Sequence, residues 1–245
     1  MPQVPVVLRP VSLLLLLEYV LQRHAEPTTI LVCSSREVLL RSLLQSVEGR
    51  QRNENSHDLL TPTLQLLKAS RAINMAYCPS VQVLQAWLCS YITQSTPDSN
   101  HGTNAQVGPR ASHRPARVPM LVVVNPIALH RETSAYSAQG LSRAFAAMVE
   151  AASKTNRRLV IGECSIPNTP NNANPDEDID RQDEETTSEA PLYHAEHATV
   201  DPWEEDLSIL NVTTKSFGAG ERGWVGRTVK IGQVVGRWCQ FESPF

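Results

Sequence analysis

Apolar residues follow two rhythms along this chain. Four short runs are apolar almost without interruption: TTILVC at 28–33, INMAYC at 73–78, MLVVV at 120–124 and RLVIGE at 158–163. Runs of this length between turn-forming residues read as strands buried on both faces of a parallel sheet. Between them the period becomes helical. Leu39, Leu40, Leu43, Leu44 and Val47 mark one helix after the first run. Thr61 and Pro62 read as N-cap and first-turn proline of a second, carrying Leu64, Leu66 and Leu67. Ser80 caps a third, with Val81, Leu84, Trp87, Leu88 and Tyr91 inward. Ala138, Leu141, Phe145, Met148, Val149 and Ala152 mark a fourth. Strands alternating with helices imply right-handed crossovers, hence an α/β fold with a mainly parallel central sheet flanked by helices.

Three segments depart from that alternation. VSLLLLLEYVLQRH near the N-terminus has the look of a secretory h-region, but Glu18 interrupts it and no small-residue cleavage site follows. It is too short for a membrane span and is expected to be a buried helix. Residues 94–119 are rich in Ser, Asn, Gly and Pro. Residues 168–199 carry the acidic run PDEDIDRQDEETTSE. Both are expected to be disordered inserts in a single domain spanning 1–245. Beyond them, DLSILNVTT and GRTVKIGQVVGRWCQFE are strand-like, joined by KSFGAGERGWV, and suggest an antiparallel β-hairpin at the sheet edge.

Composition narrows the function classes. A formal charge of −3 gives no global attraction for nucleic acid or anionic membrane. The 5 cysteines, Cys33, Cys78, Cys89, Cys164 and Cys239, are odd in number and widely spread. Without a Cys-x-x-Cys pair they indicate neither a zinc site nor a disulfide frame, and fit reduced thiols in a nucleocytoplasmic protein.

The stretch MLVVVNPIALHR poses the central chemical question. A buried strand that ends in a polar residue is how a parallel sheet presents an acid to a nucleotide, yet the residue here is Asn125. Either an acid has been replaced, or Asn125 simply caps the turn before Pro126. Taken in order, ILVCSSREVLLRSLLQSVE, INMAYCPSVQVLQAWL, MLVVVNPIALHRETSAYSAQGLSRAF, RLVIGEC and GRTVKIGQVVGRWCQFE resemble the RecA-like recombinase core, and in particular its eukaryotic paralogues. The resemblance covers about three quarters of the chain and rests on order, since no single motif is specific. It implies an acid-bearing first strand, a metal-binding strand ending at Asn125, the strand that precedes the second DNA loop, and a closing hairpin.

The departures from that family are chemical. No Gly-x-x-x-x-Gly-Lys-Ser/Thr loop occurs, so neither the glycine amides nor the lysine of a phosphate cradle is present in the sequence. Only the leucine-rich helix stands ahead of Thr28. Cys33, Ser34 and Ser35 replace the water-activating acid, and Asn125 lacks the charge that would hold a hydrated magnesium ion. The expectation is a subunit with no cofactor and no catalytic residues.

The resemblance implies a nuclear, non-catalytic subunit of a homologous-recombination complex of the Shu type. Its partner would be another recombinase paralogue or a SWIM-domain protein, and it would scaffold recombinase assembly on single-stranded DNA. Lys215, Arg222, Trp224, Arg227 and Lys230, together with Phe217, form a basic, aromatic, glycine-rich stretch suited to phosphate contact and base stacking. They would equally suit an exposed hairpin with ordinary charges. Two other readings stand beside this one. One is a hydrolase- or transferase-type α/β enzyme working at strand ends near Ser34, Asn125 and Glu163, although no Gly-x-Ser-x-Gly elbow is present. The other is a protein-interaction adaptor with no DNA role. His194 and His197 with Glu196 suggest a metal site only weakly, because other ligands are lacking. Cys164, directly after a strand, has no histidine partner placed by the sequence.

Overall fold

The structure, a computed structural model, describes residues 3–51, 63–94, 118–164, 201–209 and 227–244. Strand β1 (Val6–Leu8) opens the chain and helix α1 (Leu13–Arg23) follows it; then come β2 (His24–Val32) and α2 (Arg36–Gln51). Next are α3 (Leu64–Ala72), β3 (Ile73–Tyr77), α4 (Val81–Gln94), β4 (Val118–Val124), the short α5 (Pro126–Arg131), α6 (Ala138–Lys154) and β5 (Arg158–Gly162). The C-terminal part holds a 3-10 turn at Pro202–Glu204, β6 (Asp206–Ser208), β7 (Thr228–Lys230), α7 (Ile231–Val235) and β8 (Gln240–Glu242).

Six strands form one sheet in the order β3-β2-β4-β5-β1-β8, and every pairing within it is parallel. This is the expected α/β architecture. Successive side chains on a strand point to opposite faces, and both faces are covered. Val7, Leu31, Leu121, Val123 and Ile161 pack beneath α4, α6 and α7. Val6, Ile30, Val122, Val124 and Val160 pack beneath α1 and Leu39 of α2. A strand covered on both sides has no polar face, which is why these segments read as unbroken apolar runs. Phe145 and Met148 are fully buried, as their spacing predicts; they lie on the Leu121 and Val123 side of β4, opposite Val122 and Val124.

Local chemistry sets the helix ends. Ser12, Ser80 and Ser137 each accept a main-chain N–H from the first turn of α1, α4 and α6. The start of α3 differs from expectation: its N-cap is Thr63, whose hydroxyl accepts from Leu66 N, two residues past Thr61. Helices α2 and α3 are also less buried than their periodicity suggests. Leu39 is buried, but Leu40, Leu44, Leu64 and Leu67 are exposed. Gln94 and Val118–Pro119, at the bounds of the expected first insert, belong to α4 and β4, the latter paired with His24; residues 95–117 lie outside the described residues. Residues 168–199 lie outside the described residues.

Two elements correct the sequence reading. β1, three residues between Pro5 and Pro10, precedes the leucine-rich helix and sits inside the sheet between β5 and β8. The segment GRTVKIGQVVGRWCQFE, expected to be strand-like, is so only in part, although its first strand forms the expected antiparallel hairpin with β6. It divides into β7, α7 and β8. Ile231, Val234 and Val235 are all buried, and their spacing places one helical stripe over Trp203 and α6. A Cβ on Gly232 would lie 2.9 Å from the Trp203 carbonyl oxygen, so the absent side chain lets α7 sit that close. The antiparallel pair β6–β7 forms a sheet of its own, while β8 joins the main sheet beside β1.

Candidate functional site

In a parallel sheet, loops leave the carboxyl ends of the strands, and a crevice opens where neighbouring strands send their helices to opposite faces. Here α2 leaves β2 toward one face, and α5 and α6 leave its neighbour β4 toward the other. The carboxyl ends of β2, β4, β5 and β1 therefore define the candidate site. They carry Cys33 and Ser34, Asn125, Glu163 and Cys164, and the turn at residues 9–12.

That turn reads Arg-Pro-Val-Ser. A phosphate cradle needs several main-chain N–H groups turned toward one point. Pro10 has no N–H, and Arg9 N donates to Glu242 O at 3.0 Å, continuing the β1–β8 ladder. Val11 is buried with Leu13 and Leu16. The helix presses on the sheet so closely that a Cβ on Gly162 would come within 2.8 Å of Leu16 Cδ2. The Arg9 guanidinium turns away from the crevice, pairs with Asp201, bonds Glu204 Oε1 at 2.8 Å and lies over the Phe241 ring.

Asn125 occupies the left-handed region, with φ 57° and ψ 45°. Asparagine tolerates this conformation better than most residues. Its N–H donates to Gly162 O at 2.9 Å, and its Oδ1 accepts from Cys164 N at 2.6 Å. The side chain thus bridges the ends of β4 and β5. It stands at the N-cap position of α5 but makes no side-chain cap bond. Glu163 supplies that cap from the neighbouring strand: Oε2 accepts from Ile127 N at 3.0 Å and Oε1 from Ala128 N at 2.9 Å. Burial pushes the Glu163 carboxyl up to about 7, although these two amides and the Arg131 charge pull it down.

Among the described residues the space between these groups is small. Leu13, Val32, Ser34, Leu39, Asn125 and Cys164 surround a cavity of about 10 Å³, roughly the space of one water molecule. Ligand pockets for small molecules are on the order of 300–1,000 Å³. Ser34 Oγ donates to Ser35 O at 3.3 Å. Burial raises the Cys33, Cys78 and Cys164 thiols, with Glu163 adding to the effect on Cys33 and Cys164. All three therefore stay protonated near neutral pH, and a protonated thiol is a poor nucleophile.

Among the described residues no group of His, Cys, Asp and Glu is arranged to hold a metal ion. His194, Glu196 and His197 lie outside the described residues. So do Lys215, Phe217, Arg222 and Trp224 of the basic stretch. Arg227 is exposed at the start of β7, where its carbonyl accepts from Ile209 N at 3.1 Å. Lys230 Nζ donates to Glu204 O at 2.9 Å and stands 4.0 Å from Asp206. Lys230 is thus engaged with acidic neighbours, and Arg227 presents its charge outward. No helix among the described residues is long and apolar enough to cross a membrane.

The roles of three residues in this region have no motif in the sequence, although Glu163 itself is a candidate. Leu13 lines the small cavity, Glu163 caps α5, and His130 is buried with Nδ1 2.7 Å from Pro126 O. Burial lowers the His130 pKa, against the raising effect of that bond, so the ring is neutral. A signal for α5 exists in the sequence, since a proline after a polar residue is a helix-start pattern. The cap comes from a residue 36 positions away from Ile127 and has no local signature. No family model matches the chain, and no curated protein matches its sequence.

Proposed function

We propose that this chain is a non-catalytic subunit of a homologous-recombination DNA-repair complex, built on a RecA-like core whose nucleotide site is filled. The observation that carries the reading is the plugged crevice. The sheet keeps strands that would carry a phosphate loop, a water-activating acid and a metal-binding acid. At those places stand the Arg-Pro-Val-Ser turn, Cys33 with Ser34, and Asn125. Leu13 lines the small space left between them. A sheet that has replaced all three parts with packing and structural hydrogen bonds suits a scaffold better than an ATPase.

On this reading the subunit acts in the nucleus without a cofactor. It binds another recombinase paralogue or a SWIM-domain protein and helps recombinase assemble on single-stranded DNA. Arg227 is the outward-facing charge among the described candidates for DNA contact, with Lys215, Arg222 and Trp224 as its sequence neighbours. The polar groups at the strand ends are committed to bridging and capping, which weighs against a hydrolase or transferase at Ser34, Asn125 and Glu163. An adaptor without a DNA role shares the plugged crevice and differs in its partners. Affinity purification of the tagged chain from nuclei, followed by mass spectrometry, separates the two. Recovery of a recombinase paralogue or a SWIM-domain protein supports the repair reading. Reproducible recovery of partners that include no recombination factor overturns it.

A further inference from the structure

A second concavity, lined by none of the strand-end residues, lies between α6, β7 and α7. It measures about 490 Å³, within the range of a real ligand or peptide slot. Its walls are mostly apolar: Ala138 and Ala146 from α6, Ile209 after β6, Val229 of β7 and Val234 of α7. Ile209 and Trp238 are large apolar residues left exposed at its margin. Two cations, Arg143 and Arg237, line it as well. Both are exposed, and neither makes an ion pair or side-chain hydrogen bond among the described residues. Arg227, also exposed, is the ladder neighbour of Ile209.

Arg36, Arg41 and Arg71 are likewise exposed and without an ion pair among the described residues, but none of them lines this groove. Arg9, Arg131 and Arg158 are each paired with a carboxylate. Unpaired guanidinium groups beside an apolar slot therefore form a charge pattern that the described part of the chain leaves uncompensated. Arginine and tryptophan are also the residues most enriched among those that dominate binding energy at interfaces. We infer that this groove docks a short segment of a partner protein that places one large apolar side chain in the slot, with acidic residues on either side facing Arg143 and Arg237. The lining favours a peptide over nucleic acid, because the walls are aliphatic and a phosphate chain would find cations only at the margin. The proposal does not depend on the recombination reading; it concerns a different surface and any partner of this chemistry.

Fluorescence anisotropy with the full chain tests it. The probes are fluorescein-labelled peptides with a central Leu, Phe or Trp between Glu and Asp flanks, the same anchors between Lys flanks, and an oligothymidylate. At least one acidic-flanked peptide is expected to bind saturably. Arg143→Glu with Arg237→Glu should weaken it about tenfold or more, and Ala146→Trp, which fills the slot, should do the same. Both changes lie on the helix and turn surface, and an unchanged melting temperature confirms that the fold is intact. The proposal is overturned by any of four results. These are no saturable binding by the acidic-flanked panel, equal binding of the Lys-flanked peptides, binding that survives both variants, and displacement of the peptide by oligothymidylate bound more tightly. Binding that appears only after residues 210–226 are deleted would also overturn it, since the chain's own segment would then be the occupant.

Discussion

The N–H of Cys164 donates to Asn125 Oδ1 across 2.6 Å, joining the carboxyl ends of two neighbouring strands. The bond explains why a polar residue ends the most apolar strand of the chain. It holds the β4–α5 turn against β5, while Glu163 reaches back to cap the helix that Asn125 introduces. The two residues work as a crossed pair.

Substituting Asn125 separates the side-chain bond from the backbone conformation. Asn125→Gly keeps φ 57° accessible and loses only the bond, at an expected cost of ~1–3 kcal/mol for a buried N–H left unpaired. Asn125→Ala should cost a further ~1–2 kcal/mol, because alanine resists the left-handed region. Urea unfolding of both variants measures the difference. Equal stabilities would show that the backbone strain is relieved by movement of the turn.

Glu163 gives the fold a distinct pH dependence. Folding raises its pKa to about 7, whereas the unfolded chain releases the proton near ~4.3. Between those values the folded state binds more protons than the unfolded one. The stability contributed by the protonated carboxyl is therefore fully present below the unfolded pKa and lost as pH rises to about 7. Glu163→Gln does not titrate. From about pH 5 to about pH 8 the wild type should lose on the order of 2–4 kcal/mol relative to this variant. A difference independent of pH would show that Glu163 is ionised throughout.

Phe145, fully buried beneath the sheet, supplies the packing test. Phe145→Ala should cost ~3–5 kcal/mol through lost transfer energy and the cavity left behind. Many domains of this size would then be largely unfolded. Retention of the wild-type melting temperature would contradict the helix phase of α6.

The alternation of strands and helices was legible because the sheet is buried on both faces, which leaves uninterrupted apolar runs such as MLVVV. Short elements were not. β1 is three residues flanked by prolines, too little to show a period, yet it links β5 to β8 within the sheet and leads into the Arg-Pro-Val-Ser turn. The C-terminal segment misled because its valines and Ile231 favour strands locally. Their burial against Trp203, at helical spacing, outweighs that propensity. Asn125 announced itself by position. Its partner Cys164 and the cap from Glu163 are contacts between distant residues, which no local pattern records.

Charge reversal tests the basic stretch. In the partnered complex, Arg222→Glu, Arg227→Glu and Lys230→Glu together should weaken binding to single-stranded DNA and flatten its salt dependence, because fewer counterions are released. Within the triple, Arg227 should matter more than Lys230, whose ammonium is already held by Glu204. Trp224→Ala should lose ~1–3 kcal/mol of stacking with little change in salt slope. An unchanged affinity and slope after the triple reversal would leave the stretch without a DNA role.

The central claim is that the strand-end crevice is closed to nucleotide, and equilibrium binding of a fluorescent ATP analogue with magnesium tests it most directly. With Leu13 lining a cavity of about 10 Å³, no lysine at the described strand ends and the Glu163 carboxyl taken up by the α5 amides, titration to physiological ATP concentrations should give no saturable signal. Saturable binding in the micromolar range, displaced by unlabelled ATP, would mean that α1 moves away from the sheet and that the crevice is a working site.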